Sequence, residues 1–294
     1  YTVEHIFPYT TLFRSVDPNR TSLTGTGGTL RFGKIGGRTG KLGQVFKFET
    51  GLTYRSPELE LNDIGFMLTS DEINHFTWAG LHFQKPFSFF RNARLNYNHW
   101  FRWDFAGQLL YQQFNFNSHG TFRNNWQSGS GVTWNPFDVS NTALRGAGSL
   151  RRPSGTGWSY YLTSDTRKKL YASANLFAFW GSHNTMLSQS AGLTAYYTPI
   201  NALNISLSVS YSSNWRRQDQ FVKNTSYNSL PRTIVAEVDQ KTLRFTARAS
   251  YNITPDLTVQ YYGQPFITRP LYSNFAYVTD ALNKDYRKRF STYK

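Results

Sequence analysis

Residues 241–266 read KTLRFTARASYNITPDLTVQYYGQPF. From Leu243 through Phe245, Ala247, Ala249 and Tyr251 every second residue is apolar, while Arg244, Thr246, Arg248, Ser250 and Asn252 fill the intervals. A repeat of two is the period of an extended strand with two unlike faces. The chain then meets Thr254-Pro255-Asp256, residues that favour a tight turn, and resumes through Leu257, Val259 and Tyr261 against Thr258, Gln260 and Tyr262. Two such strands make a hairpin. One face carries Arg, Asn, Gln and Ser, and aromatics stand near the strand ends. That fits the wall of a transmembrane β-barrel, apolar toward lipid and polar toward the lumen.

The composition agrees. No uninterrupted apolar run in the 294 residues approaches the ~20 needed for a membrane-crossing helix, and a membrane protein without such helices must cross as a barrel. Aromatics make up 17% of the chain and charged residues another 17%, with a mean hydropathy of −0.51. Alternating strands produce this pairing because their apolar and polar faces average out. The net charge is +15, from 32 Lys and Arg against 17 Asp and Glu. In a soluble protein this would suggest a nucleic-acid partner. Here the positives are spread over strands and loops, with no RRM, zinc-finger or helix-turn-helix pattern, so nucleic acid is not an expected partner. Lipid head groups or an anionic solute come first. The chain has no cysteine, which excludes disulfides and Cys-ligated metal.

Within residues 1–15, the stretch FPYTTLFRS at 7–15 resembles the translation of a common sequencing adapter. The segment is therefore set aside from fold reasoning, and 16–294 is expected to be a barrel fragment truncated at both ends. A first strand is expected over 29–35, followed by a turn through Gly36, Gly37, Gly40 and Gly43. In the second, Phe46, Phe48, Leu52 and Tyr54 alternate with Lys47, Glu49, Thr53 and Arg55. An acidic loop is expected over 56–74, a third strand over 75–84, and a fourth over 92–104. Strands five and six are expected to flank Ser118-His119-Gly120, and a long loop to span 135–156. Later turns fall at Asp165-Thr166-Arg167 and Thr198-Pro199-Ile200-Asn201, with a polar loop over 212–231. Residues 232–253 should form one long strand with a bulge near 239–242, where the apolar phase shifts. After Phe266 the pattern stops, and 273–290 reads as an outer loop with a short helix over 279–286. About twelve antiparallel up-and-down strands result, with short periplasmic turns and longer outer loops.

Lys47, Arg94, Arg102, Arg244 and Arg248 share the polar phase of their strands. They would project into the lumen and bias it toward anionic solutes, including acidic sugars. The competing expectation is a structural lining in which these cations pair with Glu49 or Asp104 on neighbouring strands. Tyr54, Tyr97, Trp103, Tyr197, Tyr211 and Tyr251 sit on the outward phase, as aromatic girdles do. Trp215 and Tyr227, placed in a loop, are candidates for stacking on sugar rings. The six histidines, His5, His75, His82, His99, His119 and His183, show no metal-binding spacing. The acidic group Glu58, Glu60, Asp63, Asp71 and Glu72 lacks the Asp-x-Asp-x-Asp-Gly pattern of a Ca²⁺ loop and reads as a solvated loop. The segment GKIGGRTGKLG at 33–43 fails the phosphate-loop pattern, because Ile35 stands where a glycine is needed. No catalytic constellation, metal site or cofactor site emerges.

Several segments resemble one family: SPELELNDIGFM at 56–67, Trp78-Ala79-Gly80 with Lys85-Pro86, RWDFAG at 102–107, TSDTRK at 163–168, and most specifically VDQKTLRFTARASYNITPDLTVQYYGQPF at 238–266. Together they look like the DUF5916 domain of Bacteroidetes-type outer-membrane proteins. The resemblance covers most of residues 42–290. It implies a barrel of unassigned function behind an N-terminal carbohydrate-binding family 9-like domain, and so a carbohydrate-related role in the bacterial outer membrane, by surface binding or solute passage. It supplies no catalytic residues. Alternatives are a part in a cell-surface glycoside-acting hydrolase, marked by paired carboxylates, or a structural or secretion-partner barrel.

Overall fold

The computed structural model describes residues 22–37, 40, 44–62, 65, 67 and 69–292. The segment 1–15, His5, Gly43 and Asp63 lie outside the described residues. The fold is all-β, with two single-turn 3-10 helices among the described residues, Ser182–Asn184 and Tyr286–Lys288. In order, the strands are β1 Gly27–Lys34, β2 Gln44–Arg55, β3 Glu72–Phe83, β4 Phe90–Trp103, β5 Leu109–Phe122, β6 Gln127–Ser140, β7 Leu150–Arg152 and β8 Gly155–Thr163. There follow β9 Leu170–Gly181, β10 Leu187–Ile200, β11 Leu203–Tyr227, β12 Leu230–Thr254, β13 Leu257–Gly263, β14 Phe266–Val278 and β15 Phe290–Thr292. All pair antiparallel in one up-and-down sheet running from β1 to β15, with β7 branching onto β6 and β13 onto β12. Two of the segments, β7 and β15, are three-residue stubs. β13 and β14 pair in succession along β12 and so form one interrupted strand. The described sheet thus has fifteen strands where about twelve were expected; the difference is the two stubs and the interruption between β13 and β14. Among the described residues no ladder joins β1 to β13, β14 or β15, so the sheet is open.

Register places the side chains on two unlike faces. Gly80, Asn96, Asn117, Gly131, Ser159, Phe177, Ser190, Ser212 and Thr242 are successive Cα partners across nine strands and lie on one face. Leu193, Leu207 and Phe245 lie on the other, and are 52%, 58% and 50% exposed. An apolar side chain left half in the open is not a core residue. Among the described residues the apolar face covers no second layer.

The sheet also curves toward its polar face. Six inter-strand steps separate β6 from β14, roughly 29 Å along the sheet at ~4.8 Å each. Yet Arg151 N donates to Ala281 O at 2.9 Å, and Arg289 Nη1 donates to Arg151 O at 2.6 Å. The loop after β6 thus spans the concavity and docks beside the loop after β14. A small core seals the junction: Leu144, Leu150 and Val235, packed against Ala143, Ala276, Val278, Ala281 and Phe290. This explains why Ile234, Val235, Ala236 and Val238 break the alternation: this end of β12 is buried from both sides.

Several expectations need correction. Ser118-His119-Gly120 lies inside β5, and the chain turns instead through 123–126, where Asn125 takes a positive φ of 66°. The loop expected over 212–231 is strand almost throughout, because β11 and β12 run 25 residues each to a two-residue tip. The extra residues of the irregularity sit on β11, at 214–217, 217–220 and 221–223, opposite and beyond the expected bulge. The pattern continues past Phe266 as β14, and the only helix in 279–289 is the turn at Tyr286–Lys288. Arg269 and Pro270 obscure the alternation of β14 in the sequence, but β12 holds its register from Glu237 to Arg244. The turn at 164–169 appears as expected. Hydrogen bonds from Arg167 to Asp165, at 2.7 and 2.9 Å, hold that carboxyl down at about 2.

Because Leu150 is fully buried at the loop junction, Leu150→Ala should lower the free energy of opening residues 141–149 by about 2 kcal/mol or more. Limited proteolysis should then cut that loop faster while the sheet's circular dichroism is unchanged.

Candidate functional site

The polar face is organised by side-chain amides. Trp78 Nε1 donates to Asn96 Oδ1 at 3.1 Å, and Asn96 Nδ2 donates to Asn117 Oδ1 at 2.7 Å. Asn98 bonds Asn115 at 3.2 Å, and Asn115 bonds Thr133 at 2.8 Å. Gln113 bonds Asn135 at 2.9 Å. Such cross-strand pairs contribute about 0.2–1 kcal/mol each. They also leave a surface of oriented donors and acceptors facing the concavity.

The five basic residues singled out from sequence all lie on this face, but they do different things. Arg102 is committed to structure: its Nη1 is 3.2 Å from Glu72 Oε2, and its guanidinium lies 4.6 Å over Tyr111. Glu72, almost fully buried, also takes Arg55 Nη1 at 3.1 Å. The partner of Arg102 is therefore Glu72, not Glu49 or Asp104. Glu49 holds Arg31 at 3.3 Å, and Asp104 accepts Gln108 N at 2.7 Å. Arg248 stacks 4.9 Å over Tyr262, Arg244 stands between Ser210 and Phe266 in register, and Lys47 faces Gly80. Arg94 lies between His82 and His119.

Trp215 and Tyr227 are in β11 and not in a loop. Trp215 shares the apolar face, in one cross-strand row with Trp134 and Trp180. All three are about half exposed, at 44%, 51% and 47%. Tyr227 stands at the hairpin tip under Arg232, whose guanidinium is 4.5 Å from the ring. Tyr54, Tyr97, Trp103, Tyr197, Tyr211 and Tyr251 share the apolar face.

At the loop end, the polar face, the 141–154 loop and the bent hairpin enclose a cavity of about 680 Å³. Its wall combines the rings of Phe177, Phe179, Phe221 and Tyr272 with Asn135, Asn214, Gln240, Asp138, Arg145, Arg152 and Arg217. The bend arises where Arg216 and Asp219 adopt positive φ of 52° and 65°. It is fixed by Arg216, which bonds Glu237 at 3.2 Å and, through its backbone, Asp239 at 2.6 Å. Behind it Asp219 accepts the Tyr286 hydroxyl at 2.8 Å, and Tyr286 also bonds Gln218. Burial raises the Asp219 carboxyl to about 6, against the opposing pull of Tyr286, Arg289 and Arg152. Burial, with Asp219 beside it, pushes the Tyr286 phenol up. Asp219, Tyr286 and Arg289 escaped the sequence reading because their partners are 67 and 138 residues away. The one local signal was the loss of alternation over 215–220. Among the described residues no group of three or more His, Asp or Glu could hold a metal ion.

Fold and site define a class: an antiparallel up-and-down sheet with an exposed apolar face and a concave, hydrogen-bonded polar face capped by its loops. Residues 7–291 match the model of a domain of unknown function, DUF5916, and the chain belongs to that family. The match begins inside the segment that resembles an adapter translation. No curated protein and no solved structure matches the chain.

Asp219 generates a pH prediction. The folded carboxyl, at about 6, holds its proton where the unfolded one, near 3.8, has lost it. Between these values the folded state binds more protons, so cap stability falls as pH rises from about 4 to 6. Asp219→Asn keeps an acceptor for Tyr286 and should flatten this dependence, read as the rate of loop proteolysis against pH.

Proposed function

We propose that this chain forms part of the wall of a bacterial outer-membrane β-barrel, in which the apolar face meets lipid and the polar face lines a solute path. On this reading the loop-end cavity receives carbohydrate-like solutes from outside. The observation that carries it is the inversion of the faces: large apolar side chains stand half exposed along the sheet while amides and hydroxyls bond to one another inside the concavity. In water that arrangement exposes far more apolar surface than a monomeric soluble protein tolerates, whereas in a bilayer it is the low-energy one. The row of Trp134, Trp180 and Trp215 suits an interfacial girdle at the loop end. The strands suffice as well: β4, β5, β6 and β10 have 14 residues each, against the ~9–11 a tilted strand needs to cross.

Binding and passage, rather than catalysis, fit the cavity. Its rings offer stacking surfaces and its amides and guanidinia offer paired hydrogen bonds to hydroxyls. Its two carboxylates are already engaged, Asp138 with Arg152 at 3.7 Å and Asp219 with Tyr286.

A charge placed on each face provides the test. Leu207→Arg, on the apolar face, should destabilise the vesicle-inserted protein by about 2–4 kcal/mol, while neighbouring Ser208→Arg, on the polar face, should cost about 1 kcal/mol through one lost hydrogen bond to Thr194. Equal effects in refolding into lipid vesicles would overturn the membrane reading. Planar-bilayer conductance that added oligosaccharide blocks would support the solute path, and a folded protein with no conductance would remove it.

A further inference from the structure

At the turn end of the polar face lies a second cavity, of about 520 Å³, lined by His82, Asn92, Arg94, His119, Gln127 and Tyr161 among others. His82, Arg94, His119, Gly129 and Tyr161 are successive register partners on β3, β4, β5, β6 and β8, so they form one row across the sheet. The row is built to hold its shape. His119 Nδ1 and the Tyr161 hydroxyl are 3.0 Å apart, and His119 Nε2 is 3.0 Å from Asn117 Oδ1. These groups meet across β6 only because residue 129 is glycine: a Cβ there would lie 2.4 Å from the Tyr161 ring and 2.7 Å from His119 Nδ1.

The charge at the centre of the row is unanswered. Arg31, Arg55, Arg102, Arg152, Arg167 and Arg216 each have a carboxylate within 4 Å. Arg94 has none among the described residues, and Glu49, which faces the same side of the sheet, is held by Arg31. The neighbouring His82 carries a buried Nε2 that no group among the described residues bonds. A guanidinium presents a planar fork that matches a carboxylate or phosphate through two parallel hydrogen bonds. The volume falls in the range that holds a small ligand.

We infer that this row is an oxyanion-binding site: Arg94 grips the carboxylate or phosphate group of an acidic sugar, and Tyr161 and His119, locked by Gly129, hold the rest of the ring. The inference rests on the polar face being a solute path and assigns the charge of the solute it selects. It also separates two tasks by position, with aromatic stacking at the loop end and charge recognition at the turn end.

Calorimetric titration of the refolded protein in detergent micelles, with glucuronate, glucose 6-phosphate and glucose as probes, tests it. Glucuronate or the phosphate should bind at least about tenfold more tightly than glucose, and Arg94→Gln should abolish that margin. Arg94→Lys should restore part of it. Gly129→Val should weaken acid binding with no change in charge, and heat-modifiable migration reports whether each variant is folded. The stronger of the two acids identifies the group selected. Acids that bind no better than glucose, or a margin that survives Arg94→Gln, would overturn the site while leaving the barrel reading intact. If the wild type fails to insert into vesicles yet keeps an Arg94-dependent margin, the barrel reading falls and the oxyanion site stands.

Discussion

The structure depends on one constraint: every strand must satisfy its backbone through its neighbours while presenting opposite chemistry on its two sides. In the described sheet the ladders do the first, and the period of two does the second. Once Leu207 is fixed outward, Ser206 and Ser208 are fixed inward, and their partners Tyr196, Thr194, Arg248 and Thr246 follow through register. A slip of one residue would place serines on the apolar face and leucines against the amides. The amide ladder of Asn96, Asn98, Asn115, Asn117 and Thr133 opposes such a slip, because each member is bonded to a side chain on the next strand.

The loop end departs from this scheme and does so with identifiable devices. Residues in left-handed conformation at Arg216 and Asp219 add backbone to β11 that β12 does not match, and the hairpin bends. The bend carries Val235 to Leu144 and Leu150, which supplies this otherwise two-faced sheet with a small core. Arg289, almost fully buried, closes the contact by donating to three backbone carbonyls, those of Asn283, Arg151 and Lys284. A cation satisfied by carbonyls rather than a carboxylate ties two loops together without depending on any one acidic side chain.

The basic residues show how far chemistry separates positions that look alike. Arg94 and Arg102 are on the same face of the same strand. Arg102 is held by Glu72 and stacked on Tyr111, whereas Arg94 stands between two histidines in a cavity. The first is a fastener and the second is open to a ligand. The difference comes from what the neighbouring strands deliver at those two registers.

The sequence by itself determined the all-β class, the two-faced strands and the hairpin at Thr254-Pro255-Asp256, since each follows from local periodicity and turn chemistry. It placed Lys47, Arg94, Arg102, Arg244 and Arg248 on one face for the same reason: a period of two fixes the side on which a residue lies. It could not say which of them were paired, because pairing depends on register between strands and Glu72 meets Arg102 only through β3 and β4. Nor could it foresee the cap. The run at 233–238 loses its alternation because it is covered from both sides by segments distant in sequence, and that at 215–220 because the bent β11 carries backbone that β12 does not match; local pattern carries no record of either. Tertiary structure alone decided that Asp219, Tyr286, Arg289 and Arg151 should meet, because hydrogen bonds across the concavity form only after the sheet has curved.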